Sequence, residues 1–130
     1  MTNFENTLSV AASGMEAQAM RLRYISENIA NSDTPGYHRK TAPFEAEMTR
    51  GDATGRVRMG DMALDPADPA RIYDPGNPLA DESGYYDGSN VDMVVEIADA
   101  REAQRSYEAN LKLFDQARQM SQSLLELLRR

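Results

Sequence analysis

A chain of 130 residues has the length of one ordinary domain, but with no Trp, three Phe and 41% apolar residues it is poorly equipped to bury a thick core alone. Its net charge of −7 argues against nucleic acid as the main partner, because phosphate binding needs clustered Lys and Arg. The absence of Cys excludes disulfides and thiolate metal sites. Eight Met and many Ala supply much of the apolar share, so burial is expected to be completed against other chains. No apolar run of ~18 residues exists to span a bilayer. The opening "MTNFENTLSVAASGMEAQAM" lacks a basic n-region and a continuous apolar stretch, so no cleaved Sec signal is expected.

All six Pro and seven of the eight Gly fall between Pro35 and Gly88. This predicts two helical ends, 1–33 and 89–130, joined by an irregular middle, 34–88. The first helix has a capping-box spacing at Thr2 and Glu5. Its apolar stripe runs through Phe4, Leu8, Ala11, Met15, Leu22, Ile25 and Ile29, with Gln18 the one polar residue on the seam. The Asn31-Ser32-Asp33 cluster and Pro35 end it.

The middle is acidic, with ten Asp and Glu against six Lys and Arg over 34–88. The pieces "GRVRMG" and "ARIY" have the alternation of strands of one hairpin, and the rest reads as extended chain and turns. The second helix opens on "SNVD", a capping spacing from Ser89 to Asp92. Its stripe passes through Ile97, Ala100, Tyr107, Leu111, Phe114, Leu125 and Leu128, widened by Ala103, Ala117, Met120 and Leu124. Neither stripe can stay exposed. The expected fold is therefore mainly α: long terminal helices paired as an antiparallel coiled coil, with an extended middle holding at most a short β-hairpin.

Chemistry is hard to build from these residues. His38 is the only histidine, so a triad or a His-based metal site would rest on it alone. "DESGYYDGSN" fails the calcium-loop spacing, because Tyr85 and Tyr86 stand where a ligand and the turn glycine are required. "GDATGRVR" lacks the Gly-Lys-Ser/Thr ending of a phosphate loop. "RGD" at Arg50 to Asp52 is too short a match to carry meaning. No catalytic residue, metal or cofactor is expected. "TPGYHRK" reads as a type I or II turn with Pro35 second and Gly36 third, and it presents Tyr37 and Arg39, residue types enriched at interface hot spots.

The run "SENIANSDTPGYHRK" resembles the N-terminal signature of flagellar basal-body rod and hook proteins, close to Asn-x-x-Asn-x-x-Thr-Pro-Gly-Tyr-x-Arg. Asn28, Asn31, Thr34, Pro35, Gly36, Tyr37 and Arg39 match it. "SNVDMVVEIADAREAQRSYEANLKLFDQARQM" is similar to the C-terminal segment, with its Asn-Val-Asp at Asn90, Val91 and Asp92 and Glu96 following. "RIYDPGNPLADESGYYDGSNVD" and the short length resemble a proximal rod member. Where relatives usually carry apolar residues, "EIADAREA" has Asp99, Arg101 and Glu102, and these charges bear on the register of helix pairing.

The resemblance implies an inner coiled-coil domain from the terminal helices and helical stacking of subunits into a hollow, periplasmic rod. It implies export without a cleaved signal through the flagellar type III apparatus. The implied partners are copies of the chain, other rod proteins, and base and ring components. Nucleic acid and a membrane span are not implied. Assembly and interaction residues are expected at Asn28, Asn31, Thr34, Pro35, Gly36, Tyr37, Arg39, Asn90, Val91, Asp92, Tyr107, Asn110, Leu111 and Phe114. The competing readings are a sister proximal rod protein of similar size and a helical-hairpin adaptor. A small enzyme would need a convergent catalytic set that the residues do not supply.

Overall fold

The computed structural model describes residues 3–130. The expected Thr2 cap lies outside them. Helix α1 spans Asn3–Ala30 and helix α2 spans Met93–Leu128, so about half the chain is helical. Among the described residues, no helix is long and apolar enough to cross a membrane.

Three antiparallel strand pairs fill the middle, not at most one hairpin as the sequence suggested. Strands β2 (Phe44–Thr49) and β3 (Asp52–Met59) form a hairpin. Its tip is Arg50-Gly51, with φ of 53° and 86°, the two positive angles of a type I′ turn. The "RGD" triplet is thus turn chemistry, hidden by an Arg where Asn is usual. At the hairpin's base, β1 (Lys40–Thr41) pairs with β4 (Ala63–Leu64). Farther along, β5 (Arg71–Tyr73) pairs with β6 (Tyr85–Asp87) across a turn-rich loop. "GRVRMG" and "ARIY" do lie in strands β3 and β5, but each has its own partner. Strand β4, paired with β1, lies between them.

The helices meet along a seam of small residues. Asn28 reaches Glu96, Arg21 approaches Asp99 and Glu102, Gly14 lies against the Asn110 amide, and Phe4 shares a groove with Met120 and Leu124. The buried apolar residues are Ala11, Ala17, Ile25, Ala103 and Ala117. This seam keeps Ala11, Ile25, Ala103 and Ala117 of the expected stripes but is rotated away from most of their large residues. Gly14 and Asn28 are buried, whereas Met15 and Ile29 are only half-buried on the flank. On α2, Tyr107 and Phe114 are half-buried, but Ile97, Leu111, Leu125 and Leu128 are exposed, Leu128 to 76%. Small residues let the backbones approach closely, which leaves no room for the large ones between them.

The consequence is incomplete burial. The chain exposes 9147 Å², about a third more than the ~6,900 Å² expected of a compact monomer of 14.5 kDa. Helix α2 starts later than the Ser89–Asp92 spacing predicted. Asp92 is its N-cap, accepting from the Val94 N–H at 3.0 Å, while the Ser89 hydroxyl donates to the Ser32 carbonyl. Ser89 therefore ties the helix ends together.

A tight seam and an open outer face make opposite predictions for two substitutions. Ala103→Leu should overpack the seam and destabilise the chain by about 1–3 kcal/mol. Leu127→Ser, on the exposed face, should change stability by less than about 0.5 kcal/mol. Denaturant titration followed by circular dichroism measures both. Equal costs would contradict this packing.

Candidate functional site, a buried polar joint between the helices

Helix α1 stops by local bonding. The Asn31 side chain donates to the Glu27 carbonyl at 2.8 Å and accepts from the Thr34 hydroxyl at 3.1 Å. Pro35 cannot continue a helix. The Tyr37 N–H then closes a turn on the Thr34 carbonyl at 3.2 Å, and Gly36 has φ 74°, which makes the turn type II. A Cβ at Gly36 would touch nothing within 4 Å, so glycine is required there by backbone conformation and not by space. The Gly36 N–H donates to the Gly88 carbonyl at 3.0 Å, which holds the turn against the approach to α2.

Beneath the turn lies a polar joint. Asn28, at 1% exposure, uses both ends of its amide. Its Oδ1 accepts from the Lys40 N–H at 2.8 Å and the Tyr37 hydroxyl at 2.9 Å. Its Nδ2 donates to the Lys40 carbonyl at 3.0 Å and to Glu96 Oε2 at 3.4 Å. Glu96 has no exposed surface, and Arg39 Nε donates to its Oε1 at 2.6 Å. The same guanidinium reaches Asp99 at 3.4 Å and Asp65 at 3.6 Å.

Asn90 completes the joint from the other side. Its Oδ1 accepts from the Arg39 N–H at 2.7 Å, its N–H donates to the Tyr37 carbonyl, and its Nδ2 donates to the carbonyls of Asp65 and Ala67. His38 Nδ1 lies 2.8 Å from the Asp65 carbonyl, where it donates when protonated.

Burial pulls the Arg39 guanidinium down, but the hydrogen bond and charge of Glu96, with Asp99 and Asp65, outweigh it and raise it above its ordinary value. Burial also raises the Tyr37 phenol, which stays neutral and able to donate. On the exposed rim, the Lys40 ammonium lies 2.7 Å from Glu27; this hydrogen bond holds the Glu27 carboxyl below the usual range and raises Lys40. In the β5–β6 ribbon the Tyr85 N–H, then Arg71, hold the Asp81 carboxyl low. The joint is a positional device: its charges are paired and its amides spent on the chain itself. Among the described residues no three of His, Asp and Glu converge as a metal-ligand set.

Of the residues singled out from sequence, Asn28, Tyr37, Arg39 and Asn90 come together here, bonded within the chain. Asn31, Thr34, Pro35 and Gly36 form the helix stop and the turn above, with the last three exposed. The Val91 N–H donates to the Ser89 hydroxyl, and Asp92 caps α2. Tyr107, Asn110, Leu111 and Phe114 lie farther along α2 and do not join the cluster; Asn110 Nδ2 donates to the Ser106 carbonyl at 3.0 Å. Asp65 and Lys40 were not singled out, and Glu96 and Asp99 were noted only beside the C-terminal signature and as charges bearing on register, not as members of a site. Glu96 had a readable signal, since Glu96, Ala103, Asn110 and Ala117 recur every seven residues and define the true seam. Asp99 is a pairing charge that sets the register, bonding both Arg39 and Arg21.

Asn28→Ala should cost about 2–3 kcal/mol, because it strands a buried N–H, a carbonyl and a phenol. Tyr37→Phe should cost about 0.5–1.5 kcal/mol, because Asn28 keeps its bond to Lys40. Chemical denaturation orders the two, and the reverse order would contradict the joint. Because the folded Glu27 and Asp81 carboxyls are held low, their stabilisation is present above the ordinary carboxylate values and is lost as pH falls through the lowered ones. The unfolding midpoint should be flat near pH 6–8 and drop below about pH 4. A midpoint unchanged down to about pH 3 would contradict these pairings.

Comparison with known proteins places this geometry. The family model described as "Flagella basal body rod protein" matches residues 8–38, which carry α1 and the turn. The model described as "Flagellar basal body rod FlgEFG protein C-terminal" matches residues 82–127, which carry Asn90, Glu96 and nearly all of α2. The flagellar basal-body rod protein FlgC of Agrobacterium fabrum is 44% identical, over 92% of this chain and 91% of its own length. The FlgC proteins of Aquifex aeolicus and Salmonella typhimurium are 36% and 34% identical, over 97% and 94% of this chain and 98% and 96% of theirs. Asn28 and Tyr37 lie in the first matched region and Asn90 and Glu96 in the second, with Arg39 and Lys40 just past the first, and the chain belongs to the FlgC family of flagellar basal-body rod proteins.

Proposed function

We propose that this rod protein is a non-enzymatic structural subunit that assembles helically, through its terminal helices, into the proximal part of a hollow drive shaft. Residues 1–33 and 89–130 form its inner axial domain, an antiparallel coiled coil, and 34–88 form the segment that joins its two halves. The order of contacts supports the pairing: Asn28, Arg21, Gly14 and Phe4 meet α2 at Glu96, Asp99, Asn110 and Met120 in turn.

The observation that carries the assembly reading is the outer face of α2. Leu113, Leu125 and Leu127 remain 44–65% exposed, and Met120 and Leu124, which share a groove with Phe4, are still 53% and 46% exposed. A row of that size calls for a partner. A head-to-tail contact that does not close on itself generates a helical stack. Subunits of this kind reach the periplasm unfolded through the type III export apparatus, without a cleaved signal, and their partners are copies of the chain, other rod proteins, and base and ring components. The turn residues Thr34, Pro35 and Gly36 and the α2 residues Tyr107, Leu111 and Phe114 are the proposed assembly contacts nearest the surface.

The test is genetic. Deletion of the gene should leave basal bodies without rods in electron micrographs, and intact rods would contradict the reading. A chain carrying Leu124→Ser and Leu127→Ser should fold but fail to restore motility. In solution, the dilute monomer should show less helix by circular dichroism than the assembled rod, and full helicity in the monomer would count against folding on assembly.

A further inference from the structure

The β2–β3 hairpin sits poorly on the helices, and all of its defects lie on one seam. One open groove of about 350 Å³ separates it from Ser13, Glu16 and Met20 of α1. A second, of about 380 Å³, lies on its other side between Phe44, Val57, Gln18 and Asn110. Gln18 Oε1 is buried with no hydrogen-bond partner among the described residues, a costly state for a carbonyl oxygen. Phe44, Met48 and Val57 stay 38–57% exposed on the hairpin itself. It meets α1 through β3 and Phe44: the Val57 N–H donates to the Ser13 hydroxyl at 3.1 Å, Arg56 bonds the Ser9 hydroxyl, Gly55 passes near Val10, and the Arg21 guanidinium lies 5.8 Å from the centre of the Phe44 ring.

The hairpin's base is tied separately. The Gly60 N–H donates to the Pro43 carbonyl at 2.7 Å, and the β1–β4 pair binds that base to the polar joint through Lys40. A segment tied at its base and flanked by open grooves where it lies on α1 has the mechanics of a strap. What it covers on α1 is Val10, Ser13 and Ala17, small residues one helical turn apart that admit close approach of another helix. The same chain carries, uncovered on α2, a row of large residues that fits such a surface: Leu113, Met120 and Leu127.

We propose that the β2–β3 hairpin is a strap that covers α1 in the free subunit and swings off on assembly, yielding the Val10–Ser13–Ala17 face to α2 of a second copy. The proposal rests on the assembly reading above and adds the step that controls it. Release exchanges a seam flanked by open grooves for large residues packed on small ones. In the free subunit the strap keeps the two complementary faces of neighbouring copies apart.

The chain has no Cys of its own, so a staple can be read cleanly. Ser13→Cys with Val57→Cys pins the strap to α1. Phe44→Cys with Met59→Cys, at a cross-strand pair, bridges the strap only to itself. Self-association of the purified full chain, measured by sedimentation, should weaken by about tenfold or more when the first pair is oxidised and recover on reduction. It should stay within about twofold of the unmodified chain when the second pair is oxidised. Equal self-association of the oxidised and reduced Ser13/Val57 variant would overturn the strap, as would failure of that disulfide to form in the monomer. Absence of self-association in the unmodified chain would instead defeat the assembly reading, and with it the second copy as occupant.

Discussion

A carboxylate with no exposed surface is the constraint on which the rest of this structure depends. Glu96 is buried at the first turn of α2, and removing its water would cost several kcal/mol without a charge and hydrogen bonds to replace it. Arg39 and Asn28 supply them from the turn and from the last turn of α1. Meeting this demand fixes three things at once: the longitudinal register of the helices, the path of the chain after α1, and the position of Asn90 before α2. A purely apolar seam of Ala would leave the helices free to slide by a turn. The polar joint has one register in which its bonds are made.

Register matters here because the seam itself is thin. Four Ala and one Ile make up the buried apolar set, and packing of that size offers little discrimination between alternatives. The large residues face outward, where one chain alone gives them nothing to pack on. The division of labour is then physical. The joint specifies the subunit, the small seam brings the helices close, and the outer face of α2 is left for other subunits. The middle, built of three separate two-stranded ribbons, contributes anchoring at β1–β4 and looseness at β2–β3.

Much of this was legible in the sequence, for reasons that also explain what was not. Segregation of Pro and Gly marked the helices, and α1 ends at Ala30, one residue before the Asn31-Ser32-Asp33 cluster. The turn was readable because Pro35 and Gly36 have restricted backbones. The seam was read in part: Ala11, Ile25, Ala103 and Ala117 belonged to the expected stripes and are buried, but hydrophobic periodicity assumes that large apolar residues face inward. Gly14, Asn28 and Glu96 are invisible to that rule, although the seven-residue spacing of Glu96, Ala103, Asn110 and Ala117 carried the signal. The ribbons were underestimated because strand pairing between β5 and β6, 12 or more residues apart, leaves no local mark, and because Arg50 occupies a turn position where Asn or Gly would have announced it.

The most direct measurement of the central claim is a double-mutant cycle on Arg39→Ala and Glu96→Ala, with stability read from denaturant unfolding of the two single variants and the double. If the buried pair fixes the register, the coupling energy should be about 2 kcal/mol or more, each single variant losing most of what the double loses. A coupling below about 0.5 kcal/mol, with additive single effects, would show that the helices are aligned by something other than this joint.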